Sequence, residues 1–170
     1  MSSRIRFDSI FSLKNLAFNN VLSAASFSNQ LPSDTITPLQ VNFGAAQSND
    51  YLDLAADGTI TFKQKGNYAI IIQGIFSRTG SSGQVAQINF RGTLNGADVG
   101  YTQHLALDKE DQAYPYERTQ PITAAKDDVL RFYIARDSSG VNLGGLYTYT
   151  ISTSGWSNAP SAAMIVFKLG

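Results

Sequence analysis

From residue 38 onward, apolar and polar residues alternate in short runs broken by turn residues, the period of two that belongs to strands with side chains on opposite faces. Strands are expected over 38–43, 51–54, 59–62, 67–77, 85–94, 97–107, 117–123, 129–136, 146–152 and 162–169. In 85–94, Ile88, Phe90 and Leu94 point one way and Asn89, Arg91 and Thr93 the other. In 129–136, Leu130, Phe132 and Ile134 oppose Val129, Arg131 and Tyr133. Asp57-Gly58 and Asn95-Gly96 are turn signals, the second a strong hairpin signal. Strand 117–123 is expected to pair with 129–136 through the turn 124–128. The run 67–77 is apolar on both faces, so it calls for cover on both sides. With almost no segment of helical period, the pattern predicts an all-β antiparallel sandwich.

Residues 1–37 behave differently. Ile5, Phe7, Ile10, Phe11, Leu13, Leu16 and Phe18 are mixed with Asn and Ser and keep neither strand nor helix period. This part reads as an N-terminal arm, with 30–35 as a linker into a body spanning 38–170. An arm this apolar is expected to pack on its own body, a sister subunit or another protein, the last two ahead of the first because the body already looks complete.

Composition narrows the picture. The 170 residues contain 13 basic and 13 acidic side chains, no cysteine, and only 15% charged residues, against roughly 25% in ordinary soluble proteins. A neutral chain lacks the cationic excess that phosphate recognition needs, so no nucleic-acid partner is expected. Lack of cysteine removes thiolate metal sites and thiol nucleophiles. The longest apolar runs, 68–72 and 162–167, fall far short of the ~20 residues of a membrane-spanning helix, so no membrane partner is expected. The basic start Met1-Ser-Ser-Arg-Ile-Arg is followed by Asp8, Lys14, Asn15, Asn19 and Asn20, too broken for a signal-peptide core. Synthesis in the cytoplasm is the expectation.

Candidate chemistry is sparse. His104 is the only histidine and lies in a strand-like run without a nucleophile elbow. Glu110 and Glu117 are the only glutamates and sit in polar surroundings. Asp108, Glu110 and Asp111 lack the spacing of a calcium loop. Gly80-Ser-Ser-Gly83 has no following lysine to cradle phosphate. No catalytic residue, metal or cofactor is therefore expected. Trp156, with Tyr114 and Tyr116 in another loop, is either a sugar platform or an anchor for its own loop.

The stretch Thr59-Ile-Thr-Phe-Lys-Gln-Lys-Gly-Asn-Tyr-Ala-Ile-Ile-Ile resembles the jelly roll of the complement globular head and tumour necrosis factor superfamily. There, too, an apolar strand, a Gly-x-Tyr turn and a long core strand follow one another. The Asn95-Gly96 hairpin, the segment Thr123-Ala-Ala-Lys-Asp-Asp-Val-Leu-Arg-Phe-Tyr-Ile and the apolar C-terminal strand extend the likeness over 38–170. Asp127 departs from it, standing where that turn usually has Gly, and no collagen-like stalk is present. The resemblance implies a homotrimer, with Tyr68, Ile70, Ile72, Tyr133, Tyr147 and Tyr149 as expected interface residues. Jelly rolls of this kind without a secretion signal are similar to tailed-bacteriophage structural proteins. The implied role is a capsid decoration (cement) protein on the virion surface, its arm residues Ile5 to Phe18 docking on the major capsid protein or another virion protein. A receptor- or glycan-binding fibre tip is the alternative.

Overall fold

The computed structural model describes residues 21–80, 84–137 and 144–169. They form twelve strands and no helix: β1 Val21–Ser26, β2 Leu39–Gln40, β3 Gln47–Ser48, β4 Leu52–Leu54, β5 Ile60–Phe62, β6 Gly66–Arg78, β7 Ala86–Leu94, β8 Ala97–Leu107, β9 Tyr114–Ala124, β10 Val129–Arg136, β11 Gly144–Leu146 and β12 Ala162–Lys168. One sheet has five strands, β1-β12-β6 followed by β9, with β11 continuing beside the far end of β6. The other has seven, β3-β4-β5-β10-β7-β8, with β2 also on β10. Every pairing is antiparallel, and the chain crosses repeatedly from one sheet to the other. That connectivity is an antiparallel jelly-roll sandwich.

Local chemistry explains the turns. At Asn95 and Gly96, φ is 51° and 85°, the left-handed pair that a two-residue hairpin turn demands, and Leu94 pairs with Ala97 across it. Gly58 turns with φ of 89°, and a Cβ there would lie 2.0 Å from the Val41 carbonyl oxygen. Asp127 has φ of 68°, which accounts for glycine being usual at its position. Its N–H donates to the Phe62 carbonyl at 2.7 Å, pinning the turn to the end of β5.

That pin corrects one expected pairing. Strands β9 and β10 do not form a hairpin: β9 pairs with β6, and β10 with β2, β5 and β7. The 124–128 turn is a bridge between sheets. The strand expected at 146–152 is also shorter, ending at Leu146 and giving way to a loop.

The core lies between the sheets. Phe43, Phe62, Tyr68, Phe76, Phe90 and Phe132 are all fully buried, joined by Ile60, Ile70, Ile72 and Ile88. Phe90 stacks on Phe132 at 5.8 Å, and Phe62 lies 4.6 Å from Tyr68. Each such side chain contributes roughly 1.5–3 kcal/mol of burial. The Tyr68 hydroxyl donates to the Gln64 carbonyl at 2.7 Å, so its single polar atom has a partner.

The sandwich begins earlier than residue 38. Val21–Ser26, inside the expected arm, is an edge strand paired along its whole length with β12. Leu22 and Ala24 enter the core. Gln30, expected in a linker, is buried; it exchanges backbone hydrogen bonds with Leu146, and its side chain reaches the backbone of Asn42. A period-two run of small residues, Val-Leu-Ser-Ala-Ala-Ser, carries too weak a hydrophobic contrast to stand out as a strand. The arm residues Ile5, Phe7, Ile10, Phe11, Leu13, Leu16 and Phe18 lie outside the described residues.

Candidate interaction surfaces

In the five-stranded sheet, strand parity decides which side chains face out. Tyr68, Ile70, Ile72 and Phe76 of β6 point inward, so Ala69, Ile71, Gln73 and Ile75 point away from the core. Register then lines up rows across the outer face. Val21, Phe167, Ala69 and Pro121 form one row, and Ser23, Ile165, Ile71 and Thr119 the next. A third holds Ala25, Ala163, Gln73 and Glu117. The middle of this face is aliphatic and aromatic, and half-exposed. Glu117 is the only charged side chain in these rows; it accepts a hydrogen bond from Gln73 Nε2 at 2.7 Å.

The seven-stranded sheet presents the opposite chemistry. Its outer face carries Asp53, Thr61, Arg131, Tyr133, Arg91, Asn89 and His104. Arg91 pairs with Asp98 at 3.2 Å and lies over the Tyr133 ring; Lys63 pairs with Asp53 at 3.4 Å. Hydrogen bonds from Ser48 and Lys63, together with the lysine charge, hold the Asp53 carboxyl below its ordinary value. His104 Nδ1 lies 2.8 Å from Asn89 Oδ1 on this exposed face, with no nucleophile beside it in that contact.

Between β8 and β9 the sandwich side is sealed by a polar network. The Arg118 guanidinium is buried, lies 4.8 Å from the Tyr101 ring centroid, and donates to the Tyr101 carbonyl at 3.0 Å and to Gln120. Beside it, the Tyr116 hydroxyl donates to Gln103, and burial pushes its pKa up to about 12. Gly100, with φ of 72°, makes room for this: a Cβ there would sit 2.2 Å from Arg118 Nη2.

The acidic loop after β8 does not converge on a common point. Asp108 accepts from the Tyr114 hydroxyl, which holds its carboxyl low, while Glu110 accepts from the Gly80 N–H at 3.0 Å. Among the described residues, no group of three His, Cys, Asp or Glu side chains is placed to hold a metal, and no helix is long and apolar enough to cross a membrane.

The six expected interface residues part company. Tyr68, Ile70 and Ile72 are fully buried in the chain's own core and have no surface to offer a neighbour. Tyr133 lies on the outer face of the seven-stranded sheet, under Arg91. Only Tyr147 and Tyr149 come together, in the loop after β11. The apolar outer-face residues Val21, Ala69, Ile71, Ile165 and Phe167 escaped the sequence reading. The signal was present: Gln73 and Asn67 share parity with Ile71, marking that side of β6 as the outer one.

Tyr114 and Tyr116 also leave the expected sugar platform, the first bound to Asp108 and the second packed on Phe76 and Phe90. Trp156 does not anchor its loop to the sandwich edge, since it is 72% exposed.

No protein-family model matches the sequence, and no curated protein matches it. Among solved structures, the globular domain of zebrafish complement 1qA protein is similar with a TM-score of 0.46 and 13% sequence identity, covering 89% of this chain and 98% of that one. The jelly-roll assignment itself rests on the strand pairings described above.

Proposed function

We propose that this chain is a non-enzymatic structural protein that assembles as a homotrimer by covering the outer face of the five-stranded sheet with further copies of itself. The observation that carries this reading is the apolar patch of Val21, Ala69, Ile71, Ala163, Ile165 and Phe167 on one sheet, where the other sheet carries Asp53, Arg91, Arg131 and Asn89 outside. Covering the exposed parts of Ile71, Ile165 and Phe167 is worth roughly 1 kcal/mol each before the costs of association. Low charge supports it further, because copies of a neutral chain repel one another little.

The more specific role is capsid decoration on a tailed bacteriophage. Residues 1–20, rich in Ile, Leu and Phe, lead into edge strand β1 beside Phe167 and supply the apolar contacts to a capsid protein. The jelly-roll layout is compatible with the same reading. Electron microscopy of particles with and without the protein tests the role. Threefold density on the shell, lost when residues 2–20 are deleted, is the expected result; binding undiminished by that deletion overturns the docking assignment.

A further inference from the structure

The loop from Tyr147 to Ser161 is a second surface, at the end of the sandwich opposite to Val21. Ser26 at the far end of β1 pairs with Ala162, into which this loop runs, whereas Val21 pairs with Phe167 roughly 17 Å away. The loop folds back on itself: Tyr149 and Ala159 exchange backbone hydrogen bonds of 3.1 and 2.9 Å, and the Trp156 N–H donates to the Thr153 carbonyl at 3.1 Å. Its two legs straddle Ile75. One leg borders a recess of about 130 Å³ lined by Ile75, Ser77, Asp111, Tyr147, Thr148 and Tyr149. The other leg, through Ala159 and Pro160, borders a cleft of about 330 Å³ that includes Gln73, Ile75, Pro115 and Glu117.

The chemistry of this end is unusual for so exposed a surface. Residues 147–161 contain no charged side chain and consist largely of Tyr, Thr, Ser, Asn and Trp. Tyr149 is 50% and Trp156 72% exposed. Ring faces held in water beside hydroxyls and amides suit a ligand with apolar C–H faces and a rim of hydroxyl groups. The Gln73–Glu117 pair, 2.7 Å apart, offers a carboxylate and an amide to neighbouring hydroxyls.

We propose that this end binds an uncharged oligosaccharide that runs from the two recesses flanking Ile75, where Glu117, Gln73 and the Tyr149 ring meet it, out along the loop to the exposed Trp156 ring at its turn. The charged side chains bordering the two recesses, Asp111 and Glu117, are both acidic, so an anionic sugar is disfavoured. The site adjoins the proposed trimer patch, since Gln73 and Glu117 share a row with Ala163, but its aromatic loop lies beyond that patch.

Trp156 is the only tryptophan, beside eight tyrosines, so emission excited selectively from tryptophan reports on this loop alone. The full-length protein is screened on an array carrying neutral, sialylated and sulfated oligosaccharides, and the best neutral glycan is then titrated while Trp156 emission and acrylamide quenching are followed. Binding to neutral glycans, a blue shift with reduced quenching, and at least about tenfold weaker binding in Trp156→Ala with unchanged melting are expected. Glu117→Gln should weaken binding by a smaller factor with the emission shift retained. No neutral-glycan binding, binding confined to acidic glycans and lost in high salt, or equal binding by Trp156→Ala overturns the proposal. So does a Trp156 already shielded from acrylamide in the glycan-free assembly, which would mean that protein covers it.

Discussion

The outer faces of the two sheets share a fold, a solvent and a core, yet differ in what they offer. On the seven-stranded sheet, Arg91, Asp98, Arg131, Asp53 and Lys63 satisfy one another or meet water. On the five-stranded sheet, Ile71 and Ile165 sit side by side with Ala69 and Phe167 next to them. A sheet with one solvated face alternates apolar-in and polar-out. The seven-stranded sheet obeys that rule, and the five-stranded one breaks it along the same strands that build its core. On the proposed reading, that breach is where a further copy of the chain packs.

The largest effect is expected at the N-terminus. Deleting residues 2–30 removes β1, the buried Leu22 and Ala24, and the Gln30 ties to Leu146 and Asn42. The expected result is a chain that loses its cooperative melting transition in circular dichroism. Deleting residues 2–20 leaves every described strand in place, and melting is expected to stay within a few degrees of the full chain.

Next in size is a charge placed on the apolar face. Ile71→Asp combined with Ile165→Asp is expected to weaken self-association by at least about a hundredfold, because unpaired carboxylates would be buried at the interface. Both residues are half-exposed, so the sandwich itself should fold. The matched change on the other face, Arg91→Ala, removes an exposed ion pair worth under about 1 kcal/mol and should leave assembly untouched. Analytical ultracentrifugation across a concentration series measures both.

Gly100→Ala tests the seal between the sheets. A methyl 2.2 Å from Arg118 Nη2, at a residue with φ of 72°, must displace the guanidinium, and a loss of about 1–3 kcal/mol in urea unfolding is expected.

Acid gives the smallest effect. Asp34, Asp53, Asp57, Asp108 and Asp128 are all held below the ordinary value of 3.8, each by hydrogen bonds to its carboxylate as the leading cause. A depressed folded-state pKa stabilises fully above the unfolded value and is lost as pH falls through the folded one. Melting temperature should therefore be flat near neutrality and decline below about pH 4. None of these groups lies in the aliphatic rows of the five-stranded sheet, so self-association should not follow the same pH profile.

Much of the fold was legible because turn chemistry and parity are local. Asn95-Gly96 fixed a hairpin, and the alternation of Leu130, Phe132 and Ile134 fixed the buried side of β10. Partners across sheets were not legible. The 124–128 segment looks like a hairpin turn, and only the long-range bond from Asp127 to Phe62 makes it a crossover. The interaction surface was half legible. The run through β6 announced two apolar faces, but choosing the outer one required setting Gln73 and Asn67 against Tyr68. The bulkiest residues, Tyr68, Ile70 and Ile72, drew attention as interface candidates for the same reason that they fill the core. At the loop end, tryptophan reads as an anchor from sequence because large rings are usually covered; its exposure depends on the backbone turn at Thr153.

Whether copies of this chain cover the aliphatic face of the five-stranded sheet is read most directly from the mass of the particle in solution. Light scattering coupled to size exclusion is the direct measurement, made on the full chain and on the Ile71→Asp/Ile165→Asp variant. Three times the 18.4 kDa chain mass is expected for the first and a folded 18.4 kDa species for the second. A full-length chain that elutes as an 18.4 kDa monomer at high concentration, or a double variant that keeps the threefold mass, would contradict it.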